Sequence, residues 1–454
     1  MFLLLLYILQ LLLFSSIFSI FSSIESGVIA VVFVAFNTLI SILFLFVKLK
    51  SFVSLNLLRI VLLGFFVRIV LLFLDVYKVI SVIHSGMDTE AFHRIAVNNA
   101  IQYGVSGEWI TLTNYTDVLS YIYMFCNAQR LVGQYLNVLL GVGVIYYILL
   151  SCRELRIKSK TTYLVVTIIC FFPAAVIFSG ILLREAWVEF FIMYSVFYFI
   201  KWFKTGNSIY RLISIISVLL ASYMHSGVLF MVVGYLMAYV FYDPITNVVK
   251  KNITNIAKLV LVVVLFLPFL LAGTMFTDKF NSVQKMEEEA FLERLESNVD
   301  AGSTYLTWIN LDSKWQLVVF SPLRIFYFLF SPIPLDWRGF NDVVAFLLDS
   351  MFYLFLMYTI FKFIKKIEGW KRIFVNFVMI GLFITFFVFA YGTSTAGTAM
   401  RHRCKIIGVV LIVFAIARDR KENLFCESVC NELYQLKHTD DVFEMKNYCE
   451  NDEV

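Results

Sequence analysis

Charge is what this sequence has least of. Only 15% of its 454 residues are Asp, Glu, Lys or Arg, against 61% hydrophobic and 17% aromatic, whereas soluble globular domains carry roughly a quarter charged residues. That scarcity excludes an ordinary soluble domain and leaves an integral membrane protein. The net charge of +5 comes from lysines and arginines scattered through short loops rather than gathered in one patch, which speaks against a nucleic-acid partner. Paired cysteine spacing is missing as well. Cys126, Cys152, Cys170, Cys404, Cys426, Cys430 and Cys449 include no CxxC pair, and they read as ordinary thiols rather than metal ligands. No HExxH, Walker loop, GxSxG or Rossmann fingerprint stands where its chemistry would need it, so neither a metal nor a cofactor is expected. The first segment lacks the basic flank of a cleaved signal and is long enough to span, so it reads as a first transmembrane helix.

What is present is a series of apolar runs of about twenty residues, and backbone inside lipid satisfies its own hydrogen bonds only as helix. Spans are predicted at residues 2–20, 28–47, 57–77, 131–150, 162–182, 187–202, 209–224, 228–242, 259–275, 343–361, 373–391 and 405–417. The expected fold class is all-α, a polytopic integral membrane protein of about 12 transmembrane helices. Basic residues such as Lys48 and Lys50, Arg153 and Arg156, and Lys365 and Lys366 follow spans, which places those loops and both termini in the cytoplasm. The same rule leaves no parity for a span between Trp315 and Pro334. That stretch, with Pro322, Pro332 and Pro334, is expected to be a broken, re-entrant element on the periplasmic side. The membrane domain then covers residues 1–417, with outer loops near 80–130, 276–342 and 392–404, and 418–454 forms a charged cytoplasmic tail. No internal repeat of the kind common in transporters stands out.

Polar residues that interrupt these runs are the candidates for function. Arg68 and Asp75 lie about two turns apart in one span and are expected to pair with each other. In the loop after it, Asp88 and Thr89 suit a helix start, with Phe92, Ile95, Ala96 and Asn99 at helical spacing behind them. Arg184 and Glu185, in SGILLREAWVE, are either the tip of a helical hairpin or the floor of a site. His225 stands at another turn, Arg324 lies in the re-entrant element, and Arg401, His402 and Arg403 close a late polar turn. Arginines are rare beside spans on the outer face, so those that occur there call for an anion, and the planar guanidinium fork fits phosphate oxygens. A diphosphate is expected, held by Arg184, Arg324, Arg401 and Arg403, with Asp88 as first choice of general base and His225 as second. Each residue also has a plainer role open to it: a salt bridge at a hairpin tip, a helix cap, or an anchor among lipid headgroups.

The order of these clusters resembles that of the bacterial O-antigen and capsular repeat-unit polymerases of the Wzy type, and of the related GT-C-like membrane glycosyltransferases. The resemblance is carried by Asp88, Phe92 and Ala96 in the first outer loop, SGILLREA at mid-chain, the His225-Ser226-Gly227 turn, the element from Ser331 to Pro334 and the late GTAMRHR turn. It implies a multi-pass enzyme of the inner membrane that joins oligosaccharide units carried on undecaprenyl diphosphate, working on the periplasmic face. It implies Asp88, Glu185 or His225 at the acceptor, no metal or nucleotide sugar, and a chain-length regulator and flippase as partners. The acidic outer loop beyond Phe276 departs from the basic loops usual in Wzy-type enzymes. A GT-C-like transferase using a polyprenyl-phosphate sugar therefore stands as an alternative, as does a lipid-linked oligosaccharide flippase or other transporter.

Overall fold

The computed structural model of the chain describes residues 1–20, 23–106, 109–255, 257, 303–306 and 314–420. Apolar runs of span length become helices, because only there does each backbone N–H find a carbonyl within its own segment. In order they are α1 (Phe2–Ile20), α2 (Ser23–Leu49), α3 (Leu55–Val76), α4 (Met87–Ser106), α5 (Asn114–Phe125), α6 (Arg130–Glu154), α7 (Ser159–Phe171) and α8 (Pro173–Gly180). Then come α9 (Glu185–Thr205), α10 (Ser208–Met224), α11 (Met231–Phe241), α12 (Lys314–Phe330), α13 (Phe340–Ala345), α14 (Met351–Phe363), α15 (Gly369–Tyr391) and α16 (Ala396–Cys404). A last helix, α17, covers 407–420. A small antiparallel ladder, β1 (Tyr242–Asp243) with β2 (Val248–Val249), follows α11.

Among the described residues 7 helical stretches are long and apolar enough to cross a membrane, or 8 if the bent pair α7–α8 is one span. The chain is an all-α membrane protein. Spans expected at 209–224 and 228–242 form the shorter apolar helices Ser208–Met224 and Ser226–Phe241, while the span expected at 259–275 and the tail beyond 420 lie outside the described residues. Two expectations about proline are corrected. The span expected as continuous over 162–182 is broken at Pro173, and the stretch expected as broken over 315–334 is continuous as far as Phe330, with Pro322 inside α12. A proline removes one donor and crowds one carbonyl. Neighbouring protein decides whether the helix runs through or stops.

The chain packs as two units, each described by itself: Met1–Tyr146 with Val166–Ile192 and Leu219–Ser226, and Tyr147–Val165 with Met193–Val218 and everything from Gly227 on. In the first unit the apolar stretch of α6 is 89% buried against 28% for α1, so α6 is central, and α1 leaves Leu5, Leu9 and Leu13 exposed. Tyr7 of α1 donates to Val132 O of α6 at 3.0 Å. In the second unit α11 and α15 meet backbone to backbone. A Cβ added at Gly234 would overlap Phe377 O, and one at Gly381 would stand 2.9 Å from Met231 O, so only glycine permits this approach.

Helix α4 lies against α5 outside the spans. Its start is closed by Thr89, whose Oγ1 donates to Gly86 O and accepts from Gly86 N. Phe92, Ala96 and Asn99 are buried, as their spacing predicts. His93 Nδ1 meets Tyr123 Oη at 2.8 Å, and Glu90 accepts from Arg130 Nη1 at 2.7 Å. That hydrogen bond lowers the Glu90 carboxyl below its ordinary value against the opposing effect of burial, and burial lowers the His93 imidazole. Both folded-state values lie below the unfolded ones, so both contributions are present at neutral pH and are lost as the pH falls. Between about pH 7 and pH 4, the protection of the α4 amides, taken relative to their intrinsic exchange rates at each pH, is expected to fall more than that of the α6 amides. Equal protection of α4 across that range would show that these groups do not hold it.

Candidate functional site

In the first unit the architecture starts from Pro173. Lacking an N–H, it leaves Ile169 O without its helical partner; α7 stops at Phe171, and α8 leaves at an angle of 48°. Arg68 of α3, 1% exposed, supplies the missing donors. Its Nη2 bonds Ile169 O at 2.9 Å, its Nη1 bonds Cys170 O at 2.9 Å and Gly64 O at 3.0 Å, and its Nε bonds Ser179 Oγ at 2.9 Å. Gly141 of α6 makes room for this, since a Cβ there would stand 2.6 Å from Ser179 Cβ. The expected Arg68–Asp75 pair is therefore corrected. Asp75 instead accepts from Arg130 Nη2 at 3.2 Å and from Gln134 Nε2 at 2.8 Å.

Beyond α8, residues 181–184 form a bend, and α9 begins at Glu185. This is no exposed hairpin tip: Leu182 and Leu183 are fully buried and Glu185 is 1% exposed. Buried backbone outside a helix must find partners elsewhere, and α6 provides them from one face, at i, i+4 and i+7. Arg130 bridges Asp75 and Glu90, Gln134 donates to Gly180 O at 2.7 Å, and Asn137 donates to Ile181 O and Leu183 O at 2.8 and 2.7 Å. Asn137 Oδ1 in turn accepts from Trp187 Nε1 at 2.9 Å, which fixes the head of α9. Arg184 is half-buried at the end of this bend. Asp88 is exposed in the first turn of α4, and His225 is half-buried where α10 ends, its N–H on Ala221 O.

In the second unit α12 ends at Phe330, and Pro332 offers no N–H to Phe328 O. Arg403 of α16 takes that role, donating from Nη1 to Phe328 O at 2.7 Å and from Nη2 to Ser331 O at 2.8 Å. Nη2 also pairs with Asp349 Oδ2. Asp349 and Ser350 come from a single π turn, Phe346–Ser350, and Ser350 Oγ donates to Ser331 O at 2.7 Å. The Arg403 side chain is wholly buried over the ring of Tyr353; its two terminal nitrogens are spent on the protein itself, while its Nε meets no acceptor. Arg401 is half-buried on the same helix.

Arg324, on α12, is different. It is 6% exposed, its Nε meets no acceptor, and among the described residues it has no hydrogen bond and no acidic partner. Its contact is the ring of Tyr391, 5.3 Å from the guanidinium carbon, and Tyr391 Oη meets Ser321 Oγ at 2.9 Å. Close by, residues 303–306 run beside the segment before α16: Tyr305 N donates to Ser394 O, and Tyr305 Oη meets Thr393 Oγ1 at 3.1 Å. Burial raises the Tyr305 phenol above its usual range, which keeps it a neutral donor near the positive field of Arg324 and Arg403.

Of the residues picked out by sequence, Asp88, Arg184, Glu185 and His225 fall in the first unit, and Arg324, Arg401 and Arg403 in the second. Sequence reasoning passed over Gln134, Asn137, Glu189 and Asp349. The i, i+4, i+7 spacing of Arg130, Gln134 and Asn137 inside an apolar run was a signal available for two of them. Among the described residues no cluster of three His, Cys, Asp or Glu side chains is placed to hold a metal ion. No family model matches this chain, and no curated protein or solved structure is significantly similar to it.

Proposed function

We propose that this membrane protein joins oligosaccharide units carried on a polyprenyl diphosphate, as the repeat-unit polymerases of bacterial surface polysaccharides do, at the periplasmic face of the cytoplasmic membrane. The observation that carries the reading is Arg324. A cation 6% exposed and lacking an anionic partner among the described residues is costly to retain unless an anion arrives from outside the chain. A guanidinium fork suits phosphate oxygens, and in a protein built of lipid-facing helices a phosphate borne on a lipid reaches it directly.

In the proposed reaction the bond between the anomeric carbon and the diphosphate oxygen breaks, and the diphosphate keeps the electron pair. A hydroxyl of the incoming unit forms the new bond to that carbon and gives its proton to a general base. Arg324, with Arg401 as a second cation of the same unit, stabilises the leaving diphosphate. Within the first unit, taken by itself, Asp88, Glu185 and His225 are the residues proposed to act on a sugar hydroxyl, and Arg184 to hold phosphate. Glu185 is the most shielded from water of these and Asp88 the least.

Polysaccharide from a strain lacking the gene, resolved by gel electrophoresis, tests this. Single-unit capped lipid in the deletion and a ladder restored by a plasmid copy are expected. Plasmids carrying Arg324→Ala or Arg324→Lys are expected to fail to restore the ladder, with a loss of at least about a hundredfold in polymer if Arg324 supplies transition-state charge stabilisation. An incomplete unit in the deletion would make the protein a single-sugar transferase. An unchanged profile, or full restoration by Arg324→Ala, would remove the proposal.

A further inference from the structure

Helix α9 carries a second buried carboxyl group one turn beyond Glu185. Glu189 is 3% exposed, and its Oε1 is sealed from solvent with no hydrogen-bond donor. Among the described residues neither oxygen takes part in a hydrogen bond or ion pair. Arg68 of α3 is the charged group whose field reaches it, yet Arg68 directs its Nε, Nη1 and Nη2 to Ser179, Gly64, Cys170 and Ile169 around the break at Pro173. A carboxylate placed here would be a charge inside a membrane-spanning helix without a donor to receive it. A carboxylic acid avoids that cost by keeping its proton.

We infer that Glu189 is a proton-binding site within the membrane-spanning part of the first unit, occupied at neutral pH. The site takes a proton rather than a metal cation, because the neighbouring charge is a guanidinium and, among the described residues, no group of three His, Cys, Asp or Glu side chains is placed to hold a metal ion. Loss of the proton would create an anion within the field of Arg68, whose donors now serve the carbonyls at the break. The inference stands on Glu189 and Arg68 and is independent of the lipid-diphosphate reading.

A protonated carboxyl in a lipid-facing protein reacts with a lipid-soluble carbodiimide. Its oxygen adds to the central carbon and its proton moves to one nitrogen; the acyl group then migrates from that oxygen to the other nitrogen, leaving a urea carbonyl, as a stable N-acylurea, and nothing is released. Membranes containing the full chain would be treated with dicyclohexylcarbodiimide at neutral and at alkaline pH, and the peptides weighed. The expected result is an adduct on Glu189 at neutral pH that falls severalfold on alkalinisation and disappears in Glu189→Gln. A Glu189 peptide left unmodified at neutral pH overturns the inference. Infrared spectra of the unlabelled proteins are a second measurement: Glu189→Gln should lose a carboxylic-acid carbonyl band relative to the parent. Loss of a carboxylate band in its place overturns the inference equally.

Discussion

Arg68→Met is expected to yield a chain that still inserts into the membrane but unfolds far more readily than the parent. The substitution keeps the apolar stem and removes every donor that Arg68 sends to Gly64 O, Ile169 O, Cys170 O and Ser179 Oγ. A buried polar group left without its partner costs about 1–3 kcal/mol. Stranding several of them amounts to a loss on the order of 3–5 kcal/mol, allowing for relaxation. Pro173→Ala supplies the companion measurement, because alanine restores an N–H to Ile169 O from within the helix. If Arg68 stands in for the missing proline N–H, the double variant should be more stable than the two single losses added together. Thermal unfolding in mild detergent reads all of these, and strict additivity would separate Arg68 from Pro173.

Arg403→Met should have an effect of similar size in the second unit. It leaves Asp349, 2% exposed, without the cation that pairs with it, and uncovers Phe328 O. Removal of one partner from a buried ion pair costs about 3–5 kcal/mol. Replacing both, as Arg403→Met with Asp349→Leu, should cost less than Arg403→Met alone, because no uncompensated carboxylate remains. The same unfolding assay checks this order. An Arg403→Met protein as stable as the parent but without activity would contradict the supporting role drawn here and return Arg403 to the substrate.

The helices were legible because lipid imposes their length. A run of about twenty apolar residues has few other fates, and α3, α6, α9 and α15 begin and end within a few residues of where hydropathy puts them. Partner choice was not legible. Arg68 and Asp75 share a helix and a plausible spacing, yet Arg68 serves carbonyls about a hundred positions away, since what it needs is acceptors exposed by a proline rather than a countercharge. Pro173 and Pro322 are the same residue in equally apolar surroundings, and one ends a helix while the other does not. Periodicity along one helix holds no term for such differences. In the candidate site, the lack of a hydrogen-bonding or acidic partner for Arg324 among the described residues, and the engagement of both terminal nitrogens of Arg403, are properties of folded side chains.

The contact between Gly234 and Gly381 has a consequence in time as well as in space. Translation delivers α11 long before α15, so α11 enters the bilayer when the surface that will cover Gly234 does not yet exist. Lipid tails cannot reproduce a backbone lying directly against a glycine. The face of α11 that carries Gly234 therefore stays loosely filled until Gly381 emerges from the ribosome. Closure of this face thus waits for a helix made late in synthesis and already shaped to fit it.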